Sequence, residues 1–196
     1  MKKYIHLLVL AVILSGMALT LPFFDSCEEL YGDILRIHVL ANSDSAADQS
    51  LKLAVRDRVL EKCSQWYDGC CDKDEALTVT REHLSEIEAA AHREIRDRGF
   101  GYTVKAEVAP VDFDTRYYEG FTMPAGRYDA LSLTIGEGAG KNWWCVMYPS
   151  LCIGAASKDE LRDELDDGEY RVVTADRFDC RFKLVEYYEA VRGWFR

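Results

Sequence analysis

Residues 136–152, GEGAGKNWWCVMYPSLC, leave the backbone few ways to run. Three glycines, Lys141 and Asn142 lead into the apolar run Trp143-Trp144-Cys145-Val146-Met147, and residues 130–135 just before them have strand character. Glycine tolerates positive φ and close backbone approach, so the reading is strand, glycine loop, strand. A short unbroken apolar run fits a strand buried on both faces, although periodicity alone does not separate it from a buried helix. Tyr148-Pro149 ends it, because proline donates no hydrogen bond and restricts the residue before it. Successive strand side chains alternate, so Trp143 and Trp144 are expected on opposite faces. The second tryptophan is then either covered or exposed as an anchor. Gly140-Lys141 is followed by Asn142 and aromatics. A phosphate loop would have Ser or Thr there and open a helix, so a structural glycine turn is expected.

The chain has 196 residues and a net charge of −10. That length holds one good core plus appendages. The charge argues against nucleic acid, which needs clustered Lys and Arg, and against electrostatic adhesion to an anionic membrane surface. Lys2-Lys3 precede an almost wholly apolar stretch, residues 4–21. A basic start and an apolar run read as a secretory signal, with small residues at Gly16-Met17-Ala18 for cleavage. The same run is nearly long enough to span a bilayer. Either way the residues after Asp25 lie outside the cytoplasm, because the lysines stay inside. The expected division is 1–26 as signal peptide or N-terminal membrane anchor and 33–196 as a single α+β extracytoplasmic domain.

Seven cysteines in an exported chain suggest disulfides, and the odd count leaves a thiol or an intermolecular bond. The oligomeric state stays open for that reason. Cys145 and Cys152 are the expected pair, because the Pro149 turn between them brings the two within bridging reach. Asp25, just before Ser26-Cys27, disfavours a lipoprotein site. Cys63 and Cys180 read as buried small residues or as partners of one another, and Cys70-Cys71 is not a CxxC redox motif.

Residues 33–41, DILRIHVLA, form a strand candidate with Leu35, Ile37 and Val39 on one face. Ser45 and Asp48 make a weak capping box for a helix to about Tyr67. Its apolar stripe is Leu51, Val55, Val59, Cys63 and Trp66, and Lys52, Arg56, Asp57, Glu61 and Lys62 are expected in solvent. A second helix runs from about Asp74 to Arg98, stopped by Gly99. Residues 102–108 alternate as a strand with one wet face. Short strand segments follow, with a turn at Pro124. Ser157 and Glu160 form a capping box for a short helix. Residues 170–173 read as a last strand, and residues 182–195 as a terminal helix with Leu184, Tyr188, Val191 and Trp194 or Phe195 facing the core. Together these give one α+β fold: an antiparallel sheet with a helical hairpin and a C-terminal helix packed on one face.

No catalytic, metal or cofactor signature is found. His38 alternates with apolar residues and reads as half-exposed. His83 and His92 are nine apart and fit no two-ligand metal spacing. No Gly-x-Ser-x-Gly elbow occurs. With 34 acidic residues some close pair is inevitable, so a glycosidase-like pair carries little weight. An exported acidic domain with an exposed tryptophan could also stack on sugar rings, which makes a cell-wall glycan binder or hydrolase the competing function class.

Two stretches carry a resemblance. They are LRIHVLANSDSAADQSLKLAVRD (35–57) and PAGRYDALSLTIGEGAGKNWWCVMYPSLC (124–152). Together they resemble the stage II sporulation protein R family, with the exported N-terminus and the residues around 182–188 also fitting. The resemblance implies a signal rather than an enzyme. Such a protein is exported across the forespore membrane into the intermembrane space. There it triggers a membrane-embedded aspartic-type protease that processes the pro-form of the early mother-cell sigma factor. The expected partner is that protease's external face, with membrane contact only through the N-terminal segment and no cofactor. The contact residues expected from the loop and tryptophan pattern are Asn42, Ser43, Asp44, Gly136, Glu137, Gly138, Asn142, Trp143 and Trp144. Asn42–Asp44 and Gly136–Gly138 are expected side by side at the strand ends.

Overall fold

A computed structural model describes residues 2–67, 69–118, 120–149, 162, 165–176 and 178–195. The elements in chain order are α1 (Lys2–Asp33), β1 (Leu35–Leu40), α2 (Ala46–Tyr67), α3 (Lys73–Glu82), α4 (Leu84–Asp97), β2 (Val104–Phe113), β3 (Arg116–Tyr117), β4 (Thr122–Met123), β5 (Gly126–Ile135), β6 (Asn142–Tyr148), α5 (Asp167–Val173) and α6 (Cys180–Gly193). They divide into two compact units.

The larger unit, Gly32–Asp112 with Arg127–Ala156, holds the sheet β2-β5-β1-β6 and helices α2–α4. The fold is α+β. The sheet is mixed rather than antiparallel throughout: β1 pairs antiparallel with β6 but parallel with β5. Residues 35–39 are buried on both faces, as expected of a strand in a parallel pair. Arg36 and His38 disguise that burial in the sequence as one-sided alternation. One sheet face presents Leu35, Ile37, Val39, Leu131, Leu133, Ile135, Cys145 and Met147 to a core completed by Leu51, Val55, Val59, Ile87, Ala91 and Ile95 of the helices.

The second predicted helix is broken at His83 into α3 and α4. Thr80 donates its hydroxyl to Ala76 O at 2.6 Å and pairs with the Tyr67 hydroxyl at 2.7 Å; such back-bonding bends helices. His83 then stacks on Trp66 at 4.2 Å. The stop at Gly99 is as expected. Its φ is +83°, and the bonds Gly99 N–H to Arg96 O and Phe100 N–H to Ile95 O complete a Schellman motif. Lys52, expected in solvent, is only 3% exposed.

The second unit comprises Met1–Tyr31, Phe113–Gly126 and Ser157–Arg196. The predicted strand at 170–173 is instead part of α5. Asp166 caps that helix, with reciprocal bonds between Glu169 N–H and Asp166 Oδ1 (2.7 Å) and between Asp166 N–H and Glu169 Oε2 (3.0 Å). The capping box read at Ser157 and Glu160 lies outside the described residues.

Helix α6 presents a different face inward than its apolar pattern predicts. Phe182 and Val185 are buried, whereas Leu184, Tyr188, Val191, Trp194 and Phe195 are exposed. The inward face continues through Glu189 and Arg192. Arg192 pairs with Glu28 of α1 at 2.6 Å and with Glu189 at 3.2 Å. A stripe completed by ion-paired residues cannot be read from apolar spacing alone. Helix α1 is long and apolar enough to cross a membrane. One face of its last third is core: Phe23, Cys27 and Leu30 are buried, and the Tyr31 hydroxyl donates to Ala125 O at 2.6 Å.

Candidate functional site: the strand-end loop cluster

Strands β1 and β5 run parallel, so both end at one edge of the larger unit. The loop after β1 and the glycine loop after β5 therefore meet there. Asn42 locks them together. Its Oδ1 accepts from Glu137 N–H at 3.1 Å, and its carbonyl accepts from Ala139 N–H at 3.2 Å. Gly140 N–H donates to Ala41 O at 2.9 Å, and Lys141 N–H to Asp44 Oδ1 at 2.7 Å. Gly136 and Gly138 hold φ of +55° and +61°, in the region that favours glycine. A β-carbon on Gly136 would also collide with the Asn42 side chain.

Asp48, in the first turn of α2, is the hub of the polar network. Its Oδ2 accepts from Asn42 Nδ2 at 2.9 Å and from Ser43 Oγ at 2.5 Å. Its own N–H donates to Ser45 Oγ at 3.1 Å, the helix cap read from the sequence. The Tyr102 hydroxyl bonds the same carboxylate. The bonds from Ser43 and then Asn42 hold the Asp48 carboxyl below the usual carboxylate range. Buried Lys52 donates to Lys141 O at 2.9 Å and to Gln49 Oε1 at 2.6 Å, and burial lowers its pKa. Gln49 Nε2 closes the ring by donating to Ser43 O at 2.8 Å.

The two tryptophans take opposite faces, as alternation requires. Trp143 lies against the helix-side core, with the Arg56 guanidinium 4.4 Å above its ring. Trp144 pairs across the strands with His38, and the rings stack at 3.9 Å and 3°. Both tryptophans are half-buried. His38 is 8% exposed rather than half-exposed. Burial lowers its pKa, and a side-chain bond with Asn142 partly opposes this.

The structure thus brings Asn42, Ser43, Asp44, Gly136, Glu137, Gly138 and Asn142 into one cluster, with Trp143 and Trp144 on the strand that leaves it. Asp44, Glu137, Lys141 and Asn142 are exposed along its rim. Sequence reasoning missed Lys52, Gln49 and Tyr102 as members. Neither Lys52 nor Tyr102 carried a local signal for its place there, because Lys52 reaches the Lys141 carbonyl 89 positions away and Tyr102 comes in from the segment ahead of β2. Cys145 is disulfide-bonded, and its expected partner, Cys152, lies outside the described residues. Cys63 and Cys180 are free, the first buried and the second exposed. Among the described residues no group of three or more His, Cys, Asp or Glu is arranged to hold a metal.

The family model described as stage II sporulation protein R matches residues 31–158, which include the whole cluster. A protein named stage II sporulation protein R from Bacillus subtilis (strain 168) is 37% identical over 135 residues, 69% of this chain and 60% of that relative. The alignment therefore spans about three-fifths of the relative's length. No solved structure matches the chain. Helix α6 and most of α1 fall outside the family match. The match covers the whole of the larger unit. The chain belongs to the stage II sporulation protein R family.

Proposed function

We propose that this chain is an exported sporulation signal. In this reading it acts outside the cytoplasm, across the forespore membrane. It activates a membrane-embedded aspartic-type protease, which then processes the pro-form of the early mother-cell sigma factor. Family membership supports the sporulation role. The apolar helix α1 supports export or anchoring. In this role the protein performs no bond chemistry. It binds one state of the protease better than another, and that differential affinity is what shifts the protease's population.

The observation that carries the reading is the locked loop cluster. Its polar groups bond one another, so the loops present a pre-shaped rim of Asp44, Glu137, Lys141 and Asn142. A rigid rim loses little conformational freedom on docking. The test is reconstitution in a non-sporulating bacterial host that makes the cognate protease and its pro-sigma substrate. Substrate shortening only when this protein is exported supports the reading. An unshortened substrate beside folded, exported protein and competent protease rejects it.

A further inference from the structure

Helix α6 has two opposite sides. Phe182 and Val185 are buried, and Glu189 and Arg192 continue the same side. That side meets α1: Phe23 lies 5.4 Å from Phe182, and Glu28 pairs with Arg192 at 2.6 Å. Turned away from it are Cys180, Leu184, Tyr187 and Val191, followed by the cap residue Trp194. All five are exposed, Tyr187 at 72% and Trp194 at 83%. Tyr188 is not among them, because its ring meets Phe24 at 5.5 Å.

These five residues follow one another at alternating steps of four and three. That is a heptad seam, with Leu184 and Val191 in the a places and Cys180, Tyr187 and Trp194 in the d places. Such a seam fits a second helix carrying the same pattern. The side of α6 packed on α1 leaves this seam unused. With exposed Phe195 beside it, the seam offers roughly 600 Å² of mostly apolar side chain. Patches of that size mark interaction surfaces. Two copies laid seam to seam remove roughly 1,200 Å² from water, the lower end of the range for specific protein pairs. Charge does not oppose the contact, because each charged side chain of α6 already has an opposite partner. Arg181 pairs with Asp179 at 2.6 Å, Lys183 with Glu186 at 2.5 Å, and Arg192 with both Glu28 and Glu189. Arg196, past the end of the seam, lies outside the described residues.

We propose that the exposed seam of α6 pairs with that of a second copy of this chain, in parallel and in register. The direction follows from α1. Helices α1 and α6 run the same way, since Phe23 meets Phe182 and, farther along both, Glu28 meets Arg192. A parallel pair therefore points both copies of α1, each long and apolar enough to cross a membrane, toward one bilayer. An antiparallel pair would point them apart. In the parallel register the d residues of the two copies face one another, which brings Cys180 of each copy together. The pairing rests on α6 and does not depend on the protease reading.

The test uses the full chain, diluted in phosphatidylcholine vesicles and oxidised mildly with copper–phenanthroline in air. A non-reducing gel reads the linked pair. Energy transfer between donor- and acceptor-labelled copies at the same dilution reads pairing without the thiol. Cys180→Ser controls for the other exposed thiol, Cys71. Tyr187→Glu with Val191→Glu places charge in the seam, and both positions are exposed, so the fold is kept. The expected result is energy transfer and a linked pair in the parent chain, no link with Cys180→Ser, and both signals at least about tenfold weaker with the two glutamates. Energy transfer no greater than random mixing gives, or unchanged by the glutamates, overturns the pairing; a face taken up by lipid or by another protein gives the first of these. Energy transfer without a Cys180-dependent link overturns the parallel register.

Discussion

The strand-end cluster and the α1–α6 pair use their side chains in opposite ways. In the cluster, residues that look made for a ligand, namely Asn42, Ser43, Asp48 and Lys52, are consumed by one another and by loop backbone. In the helix pair, an apolar pattern that looks made for a core leaves Leu184, Val191, Trp194 and Phe195 exposed, while Phe182 and Val185 face inward and Arg192 pairs with Glu28 at the edge of that face. Residue type therefore misleads in both places. Polar residues at strand ends build rigid loops, and apolar residues on a helix end as surface when a different face of that helix, here Phe182 and Val185, carries the packing.

The largest expected effect is in the cluster. Gly136→Ala forces a side chain into a φ of +55° and against Asn42. A loss of about 3 kcal/mol in denaturant-derived stability is expected. A loss below about 1 kcal/mol would mean that the loops are not locked, and the contrast between the two regions would fail.

Asp48→Ala leaves Asn42 and Ser43 without their acceptor and should cost about 2–3 kcal/mol at neutral pH. The folded-state pKa of Asp48 is depressed by those bonds. Its stabilisation is therefore complete above the ordinary carboxylate range and is lost as pH falls through the folded value. Urea midpoints of parent and variant should converge as the buffer is taken from pH 7 toward acid. A gap that does not change with pH would contradict the role given to the carboxylate.

Trp144→Ala removes the stack on His38 and should cost about 1 kcal/mol beyond the lost burial. The His38 pKa is lowered by burial. The neutral ring's contribution is thus full above the ordinary histidine range and is lost as pH falls through the lowered value. The parent should weaken on acidification below about pH 6.5, and His38→Gln should flatten that slope.

The smallest effect belongs to the helix pair. Arg192→Ala breaks the contact with Glu28, but both side chains are more than a third exposed. Solvent screening limits the loss to a few tenths of a kcal/mol. A loss above about 1.5 kcal/mol would show that the ion pair, rather than Phe23 on Phe182, holds α6 in place.

Much of the larger unit was legible in the sequence. Local signals fixed α2, the stop at Gly99, the glycine turn and the opposite-facing tryptophans, because each depends on residues within a few positions of one another. The parallel β1–β5 pairing was not legible, since 94 positions separate Leu35 from its register partner Asp129 and no local pattern encodes that choice. The loop apposition was read from residue type and the network inside it was not, because Tyr102 and Lys52 reach Asp48 and Lys141 only through tertiary packing. The α5 cap at Asp166 and Glu169 was in plain view as an Asp-x-x-Glu pattern. Val172-Val173 made those residues look like strand.

The central claim is that the rim of the locked loops is the surface that signals. The direct measurement is pro-sigma processing in the reconstituted host with Glu137→Arg and Lys141→Ala combined, set beside Arg58→Ala on the exposed face of α2. Both chains should fold and export equally, because all three side chains are exposed. The account predicts processing abolished or at least about tenfold slower with the rim variant, a loss of about 1.4 kcal/mol or more in binding, and unchanged with Arg58→Ala. Normal processing with the rim variant would contradict it and move the contact to another surface.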